Sequence, residues 1–248
     1  MGKFDIKPPD VELPWKATGP LPDNFDSNIL PSPQKSFLCG VVGGRNTGKS
    51  VILFNMIKHY KGCFDSISVM CPTHKQDPTL SEMATGIDSG SYFETIDVGF
   101  IENLIKQQEK EKEKFDKGEL RHKYLTRHLI VFDDCLGDPN FGIQGGIMAK
   151  LAVKCRHWRI SVILASQAYK KIPKTVRINI PNWIITKTYN ESERRSITEE
   201  LSNTMTEKKF NELFEYAIDG EYNFFYIFMD APDKKTCFRK NLTNVLKI

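Results

Sequence analysis

Val41-Val42-Gly43-Gly44-Arg45-Asn46-Thr47-Gly48-Lys49-Ser50 has the spacing G-x-x-x-x-G-K-S of a phosphate-binding loop. A short apolar run, Phe37-Leu38-Cys39-Gly40-Val41-Val42, leads in as a buried strand would, and the apolar run Val51 to Ile57 leads out with the character of a helix. Glycines let the backbone curl so that successive N–H groups face one anion. The helix that follows adds its positive dipole end at the same place. Gly43, Gly44, Arg45, Asn46, Thr47 and Gly48 form the cradle, Lys49 reaches the outer phosphates, and the Ser50 hydroxyl holds magnesium. A chance glycine-rich turn would not set strand, loop and helix in register. The stretch therefore predicts a site for a nucleoside triphosphate with Mg2+.

The chain has 248 residues, 40% of them hydrophobic, which suffices for one substantial α/β core or a core with a small appendage. Its six cysteines contain no C-x-x-C pair, and several stand inside apolar runs, as core thiols in a reducing compartment do. Cys63, Cys71 and His74 could begin a zinc site, but no fourth ligand stands at a sensible spacing, so the core-thiol reading is preferred. There is no signal-like N-terminal segment and no apolar run of bilayer length. Ile6 stands where a myristoylation signal needs Ser or Thr. Secretion and membrane insertion are not expected.

The net charge is only +4, yet Lys150 to Arg195 holds eleven Lys and Arg against Glu191 and Glu193 alone. Clustered cations are what a polyanion backbone requires. Charge by itself leaves a solvated basic face as an equal alternative.

Met1 to Lys35 carries seven of the thirteen prolines. That density predicts an extended arm anchored by Trp15, Phe25 and Leu30, packed on its own domain or on a neighbouring subunit. Residues 36–248 then form the ATPase domain, with 189–248 extending its core. Ser66 to Cys71 reads as a second strand, residues 74–98 as polar turns, and Phe100, Ile101, Leu104 and Ile105 as one face of a helix. The mixed-sign run Gln107 to Lys114 continues that helix as an exposed, ion-paired surface. His128 to Phe132 is a third strand, followed by a glycine-rich loop and a helix from about Ile147 to His157. Ile160 to Ser166 is a fourth strand and Trp183 to Thr188 a fifth. Two helices follow, one capped near Asn190, then a sixth strand, Asn223 to Met229, with which the basic tail can pair as a hairpin. Strands that are continuous apolar runs alternating with helices predict an α/β fold, a mainly parallel sheet covered by helices on both faces. Ligands bind such sheets beyond the carboxyl ends of the strands.

Three strands deliver polar groups at that end. Asp133 is placed to hold Mg2+ through its water shell and Asp134 to polarise the attacking water. A paired acid closing a buried strand is costly without such a task. Gln167 can contact both the γ-phosphate and the lytic water. No further cation for the transition state is evident in the same subunit, and ring ATPases supply one from a neighbour. Arg156 and Arg159 stand before the fourth strand, away from the nucleotide and suited to reach a neighbouring subunit; Arg177, Arg194 and Arg195 compete.

Gly43 to Ser50, Leu129 to Asp134, Cys155-Arg156-His157-Trp158-Arg159-Ile160-Ser161 and Leu164-Ala165-Ser166-Gln167 together resemble the FtsK–HerA superfamily of P-loop ATPases. The nearest branch is the genome-packaging ATPases of poxviruses, nucleo-cytoplasmic large DNA viruses and virophages, whose second strand Asp65 to Thr73 also fits. The resemblance spans roughly 37–188. It implies a three-layer P-loop fold of core strand order 5-1-4-3-2 and ATP hydrolysis with Mg2+. It also implies a ring (pentamer or hexamer) that drives double-stranded DNA into a capsid, capsid proteins as partners, and a place in the viral factory of the host cytoplasm or in the virion. Lys49 and Ser50 would then bind phosphate and metal, Asp133 the metal, Gln167 the γ-phosphate, and Arg156 would be the first choice for the finger. Many members carry Glu where this chain has Asp134, one methylene shorter.

Two other readings stay open. One is a different DNA-dependent ATPase of the same fold, a helicase or recombination motor. The other is a nucleotide-switched interaction module with little turnover. A small-molecule kinase would need an arginine-rich acceptor lid that the sequence lacks. Lys170, Lys171 and Lys174 are the candidates for DNA backbone contacts.

Overall fold

Residues 21–72, 91–121, 125–143, 145–188, 190–202 and 204–247 are described by a computed structural model. The phosphate loop joins β1 (Leu38–Val42) to α1 (Lys49–His59). Then come β2 (Ser66–Met70), β3 (Ser91–Phe93), α2 (Val98–Asp116), β4 (His128–Asp133), α3 (Ile147–Lys154), β5 (Ile160–Ser166) and α4 (Lys174–Arg177). The chain closes with β6 (Asn182–Thr186), α5 (Glu191–Leu201), α6 (Glu207–Ile218), β7 (Phe224–Phe228), β8 (Phe238–Lys240) and β9 (Asn244–Val245). Trp15, His74 and the turn-rich stretch 74–90 lie outside the described residues.

One sheet runs in the order β3-β2-β4-β5-β1-β6-β7-β8-β9. The first five of the six strands anticipated from the sequence stand side by side as β6-β1-β5-β4-β2, all parallel, so the order 5-1-4-3-2 sits at its centre, and the sixth is β7. The sheet departs from that expectation at both edges. Short β3 adds a parallel strand beside β2, and β7, β8 and β9 add antiparallel ones beyond β6. The antiparallel turn has a local cause. α5 and α6 form a helical pair, tied by Thr198 Oγ1 donating to Asn211 Oδ1 at 2.9 Å, that returns the chain to the end it left. Only nine residues, 229–237, then separate β7 from β8, too few for the crossover a parallel neighbour requires.

β1 and β5 are buried along their whole length, as strands covered on both faces must be. Leu38, Val162 and Leu164 meet Met148, Leu151 and Ala152 of α3 and Val176 of α4 on one face. Cys39 points to the other face, where Tyr60, just after α1, stacks on Phe37 at 5.2 Å between ring centroids. Gly40 has no room for a side chain, because a methyl there would fall 2.3 Å from the Trp183 ring.

Residues 21–35 pack on their own chain. Phe25 stacks on Tyr60 at 5.5 Å, the Tyr60 hydroxyl donates to Pro31 O at 2.9 Å, and Arg239 donates to Asn28 O at 2.5 Å. The charged run on α2 is less idle than an ion-paired surface. Lys112 pairs with Asp116 at 2.5 Å. Glu109, however, accepts from Trp158 Nε1 and Glu111 from the Thr126 backbone, so the acids brace neighbouring elements. All six cysteines are buried thiols outside any disulfide. Burial pushes the Cys63 and Cys155 thiols up to about 11, which keeps them protonated and inert. Among the described residues, no helix is long and apolar enough to cross a membrane.

Candidate functional site

The loop leaves β1 with Gly43 N donating to Ser166 O at 3.1 Å, which ties its root to the end of β5. Gly43 must be glycine. A methyl there would lie 1.6 Å from Thr186 Oγ1 and 2.6 Å from Thr47 Oγ1. Those hydroxyls form a relay from β6 into the loop: Thr186 donates to Thr47 at 2.8 Å, and Thr47 to Gly44 O at 2.9 Å. Gly48 caps α1 in the left-handed region at φ 88°, where L side chains are strained. Lys49, a buried residue, also donates from its ammonium to Gly44 O, at 3.1 Å. Ser50 follows in the first turn of α1, beside the amides that would face an anion. Thr186 was missed at the sequence level because its role depends on a strand 139 residues from Thr47.

β4 delivers its two acids differently. Asp133 is the last strand residue, paired with Ala165 of β5 and only 4% exposed. The Cys71 thiol lies 3.8 Å from its Oδ2. Asp134 turns out of the strand into the left-handed region at φ 50°, its N–H donating to Ala165 O at 3.3 Å. Gln167, one residue past β5, donates from Nε2 to Asp134 Oδ2 at 2.7 Å. The other oxygen, Asp134 Oδ1, is buried and has no hydrogen-bond partner. A buried carboxylate oxygen left this way is expensive, and it suits a water or a metal-bound water as its partner. Ser50 and Asp133 offer the hard oxygen donors magnesium prefers, and that ion keeps most of its shell as water and phosphate. No cluster of three His, Cys, Asp or Glu able to cage a metal occurs among the described residues.

The arginines separate by environment. Arg159 is buried in a left-handed conformation, its Nη2 donating to Leu125 O at 3.2 Å, and burial pulls its guanidinium down to about 10. Arg177 grips Glu200 at 2.6 and 3.0 Å and donates to Ile172 O at 2.6 Å, which holds the Glu200 carboxyl below its usual range. Both are committed to the fold. Arg194 pairs with Glu215. Arg195 is exposed on α5. Arg156 is 61% exposed and 3.6 Å from Asp230. It precedes β5 whereas Gln167 follows it, so a seven-residue strand, roughly 20 Å, parts them. The basic segment is thus not one free surface. Lys170 is engaged too, with Ser192 Oγ at 3.0 Å, while Lys171 and Lys174 remain exposed.

A family model described as "Poxvirus A32 protein" matches residues 23–231. No curated protein matches the chain. Among solved structures, the genome packaging NTPase B204 from Sulfolobus turreted icosahedral virus 2, in complex with ATP-gammaS, is similar with a TM-score of 0.54 at 14% identity, over 86% of this chain and 99% of that one. The pCW3 conjugation coupling protein TcpA gives 0.58 at 16% identity, over 85% of this chain and 61% of that one. EssC (ATPases 2 and 3) from Geobacillus thermodenitrificans gives 0.51 at 13%, over 75% and 42%. At these identities the likeness is one of fold, a mostly parallel α/β sheet of P-loop NTPase type.

Proposed function

This chain belongs to the poxvirus A32 protein family, and on that premise we propose that it is an ATP-hydrolysing motor that drives double-stranded DNA into a viral capsid. One observation carries the reading: the phosphate loop, Asp133, Asp134 and Gln167 end on adjacent strands β1, β4 and β5, with Asp134 Oδ1 buried and unpartnered among them. B204, of similar fold, is itself a genome packaging NTPase solved with ATP-gammaS.

In this reading Lys49 neutralises the outer phosphates, and Ser50 and Asp133 hold Mg2+, which supplies charge compensation on the phosphate oxygens when bound. Asp134 Oδ1 orients the attacking water and takes its proton. Gln167 shares its amide between Asp134 and the γ-phosphate, so its position reports which nucleotide is present. Only a few residues separate Gln167 from the exposed Lys171 and Lys174, a short lever from the γ-phosphate to cations suited to a DNA backbone. Arg156 faces away from its own loop and serves a neighbouring subunit's site, as a ring of five or six copies requires; Arg195 is the exposed competitor. Capsid proteins are the other partner, and the place of action is the viral factory or virion.

The Gln167–Asp134 bond favours one second reading, a nucleotide switch with little turnover, because an acid held by an amide is a weaker base. One experiment separates the two: ATPase rate with and without duplex DNA, with particle size measured in the same samples. A motor is expected to be faster on duplex DNA and to form rings. A rate indifferent to DNA, or a monomer under every condition, rejects the motor. Arg156→Ala is expected to lower the rate at least about 100-fold, as loss of a trans finger does, and to poison wild-type subunits mixed with it. Mixed particles that retain the wild-type rate move the finger to Arg195.

A further inference from the structure

A hollow of about 420 Å3 opens beside the phosphate loop, lined by Asn46 and Thr47 of the loop, by Lys187 just after β6 and by the turn Gly220 to Asn223. That volume falls within the range of small-molecule sites, about 300–1,000 Å3. The Tyr222 ring lies against the loop's last glycine: a methyl built on Gly48 would stand 3.3 Å from Tyr222 Cδ1. Tyr222 as a whole is nevertheless 68% exposed.

The segment that presents this ring is constructed, not slack. Gly220 and Tyr222 both take positive φ, 100° and 58°, an unfavourable conformation for an aromatic residue unless its surroundings impose it. Asn223 Nδ2 donates to Asp219 O at 2.5 Å, Asn241 Nδ2 to Asn223 Oδ1 at 2.9 Å, and Lys240 Nζ to Asp219 O at 2.9 Å. These bonds pin the turn on either side of Tyr222 to the β8 side of the sheet.

Strand order gives the hollow its meaning. The acids and Gln167 flank β1 on the β5–β4 side, whereas the Tyr222 turn leads into β7, on the β6 side. A triphosphate whose terminal phosphoryl faces Asp134 must extend its other end the opposite way. We infer that this hollow seats the purine nucleoside of the bound triphosphate, with the Tyr222 ring stacking on the base and Asn46, Glu221 and Asn223 supplying polar groups for the sugar and base edge. The inference rests on the phosphate-loop reading and adds the nucleoside half of the site. Base–aromatic stacking accepts any base face, so the ring supplies affinity and not choice among purines.

The test is calorimetric titration of the full chain, in Mg2+, with ATP and separately with inorganic tripolyphosphate. Tyr222→Ala is expected to weaken ATP about ten-fold or more, Tyr222→Phe to stay within about two-fold of wild type, and tripolyphosphate affinity to be unchanged in both. Lys49→Ala should weaken both ligands. If Tyr222→Ala binds ATP as wild type does, or loses tripolyphosphate equally, the hollow is not a nucleoside seat. A wild type that binds neither ligand sinks the phosphate-loop reading and the inference with it. Photolabelling of wild type with 8-azido-ATP needs no variant: label is expected in the tryptic peptide carrying Tyr222, and label confined elsewhere counts against the seat.

Discussion

Lys49→Ala is expected to lower kcat/KM for ATP hydrolysis by about 10²–10³-fold, or roughly 3–4 kcal/mol of transition-state stabilisation. The reason lies in where the ammonium stands. It donates to Gly44 O within the loop, so its charge stands beside whatever anion the loop amides hold. Alanine removes that charge and leaves the loop otherwise intact, because Gly43 is fixed by Ser166 O and Thr47 by Thr186. Thermal stability should therefore change little, by about 1 kcal/mol or less, the net worth of one hydrogen bond. ATP titration, a phosphate-release assay and a melting curve on the same preparation check all three statements. A variant that melts normally yet hydrolyses ATP at the wild-type rate would remove this loop from the chemistry.

The centre of this fold was legible because motif and pattern agree there. Gly43 to Ser50 sets the loop by spacing, and β1 and β5 read as unbroken apolar runs because both faces of each are covered. The edges were legible only in part. The sixth strand stands as β7 and the basic tail pairs with it as β8, whereas β3 and β9, of three and two residues, are too short for period-two alternation to stand out. Their existence depends on a neighbouring strand, which no local window contains.

Charge misled more than hydrophobicity did. The basic stretch from Lys150 to Arg195 counted every cation as exposed, yet Arg159 is in the core and Arg177 is bound to Glu200 on α5. A sequence window cannot see a partner that folding brings in. Both arginines occupy positions whose backbone carbonyls, of Leu125 and Ile172, need a donor. The same blindness hid the Gln167–Asp134 bond, across 33 residues, and the threonine relay into the loop. Asp133, Asp134 and Gln167 drew attention as polar groups at strand ends after apolar runs. Thr186 closes β6 in the same way, but its bond to Thr47 is made across 139 residues, and Tyr222 meets Gly48 from a turn with no motif around it.

Asp134 is where chemistry and backbone meet, and its substitution separates them. Asp134→Asn should lower the hydrolysis rate about 10²–10⁴-fold, the worth of a general base, with ATP affinity retained because the loop and Asp133 are untouched. The variant should not be less stable. Asparagine can still accept from Gln167 Nε2, it tolerates the left-handed φ of 50°, and it replaces a buried unpartnered charged oxygen by a neutral group that costs less to bury. A fall in rate together with an unchanged or raised melting temperature is thus the signature of a base held at a structural cost. Asp134→Glu tests the departure from the family pattern. The longer side chain gains reach toward the water but loses the tolerance of short polar residues for left-handed backbone and displaces the 2.7 Å bond to Gln167. It is expected to hydrolyse ATP measurably while melting lower, by the equivalent of about 1 kcal/mol. If Asp134→Asn instead turns over ATP at the wild-type rate, the carboxylate is not the base, and the buried oxygen serves the fold alone.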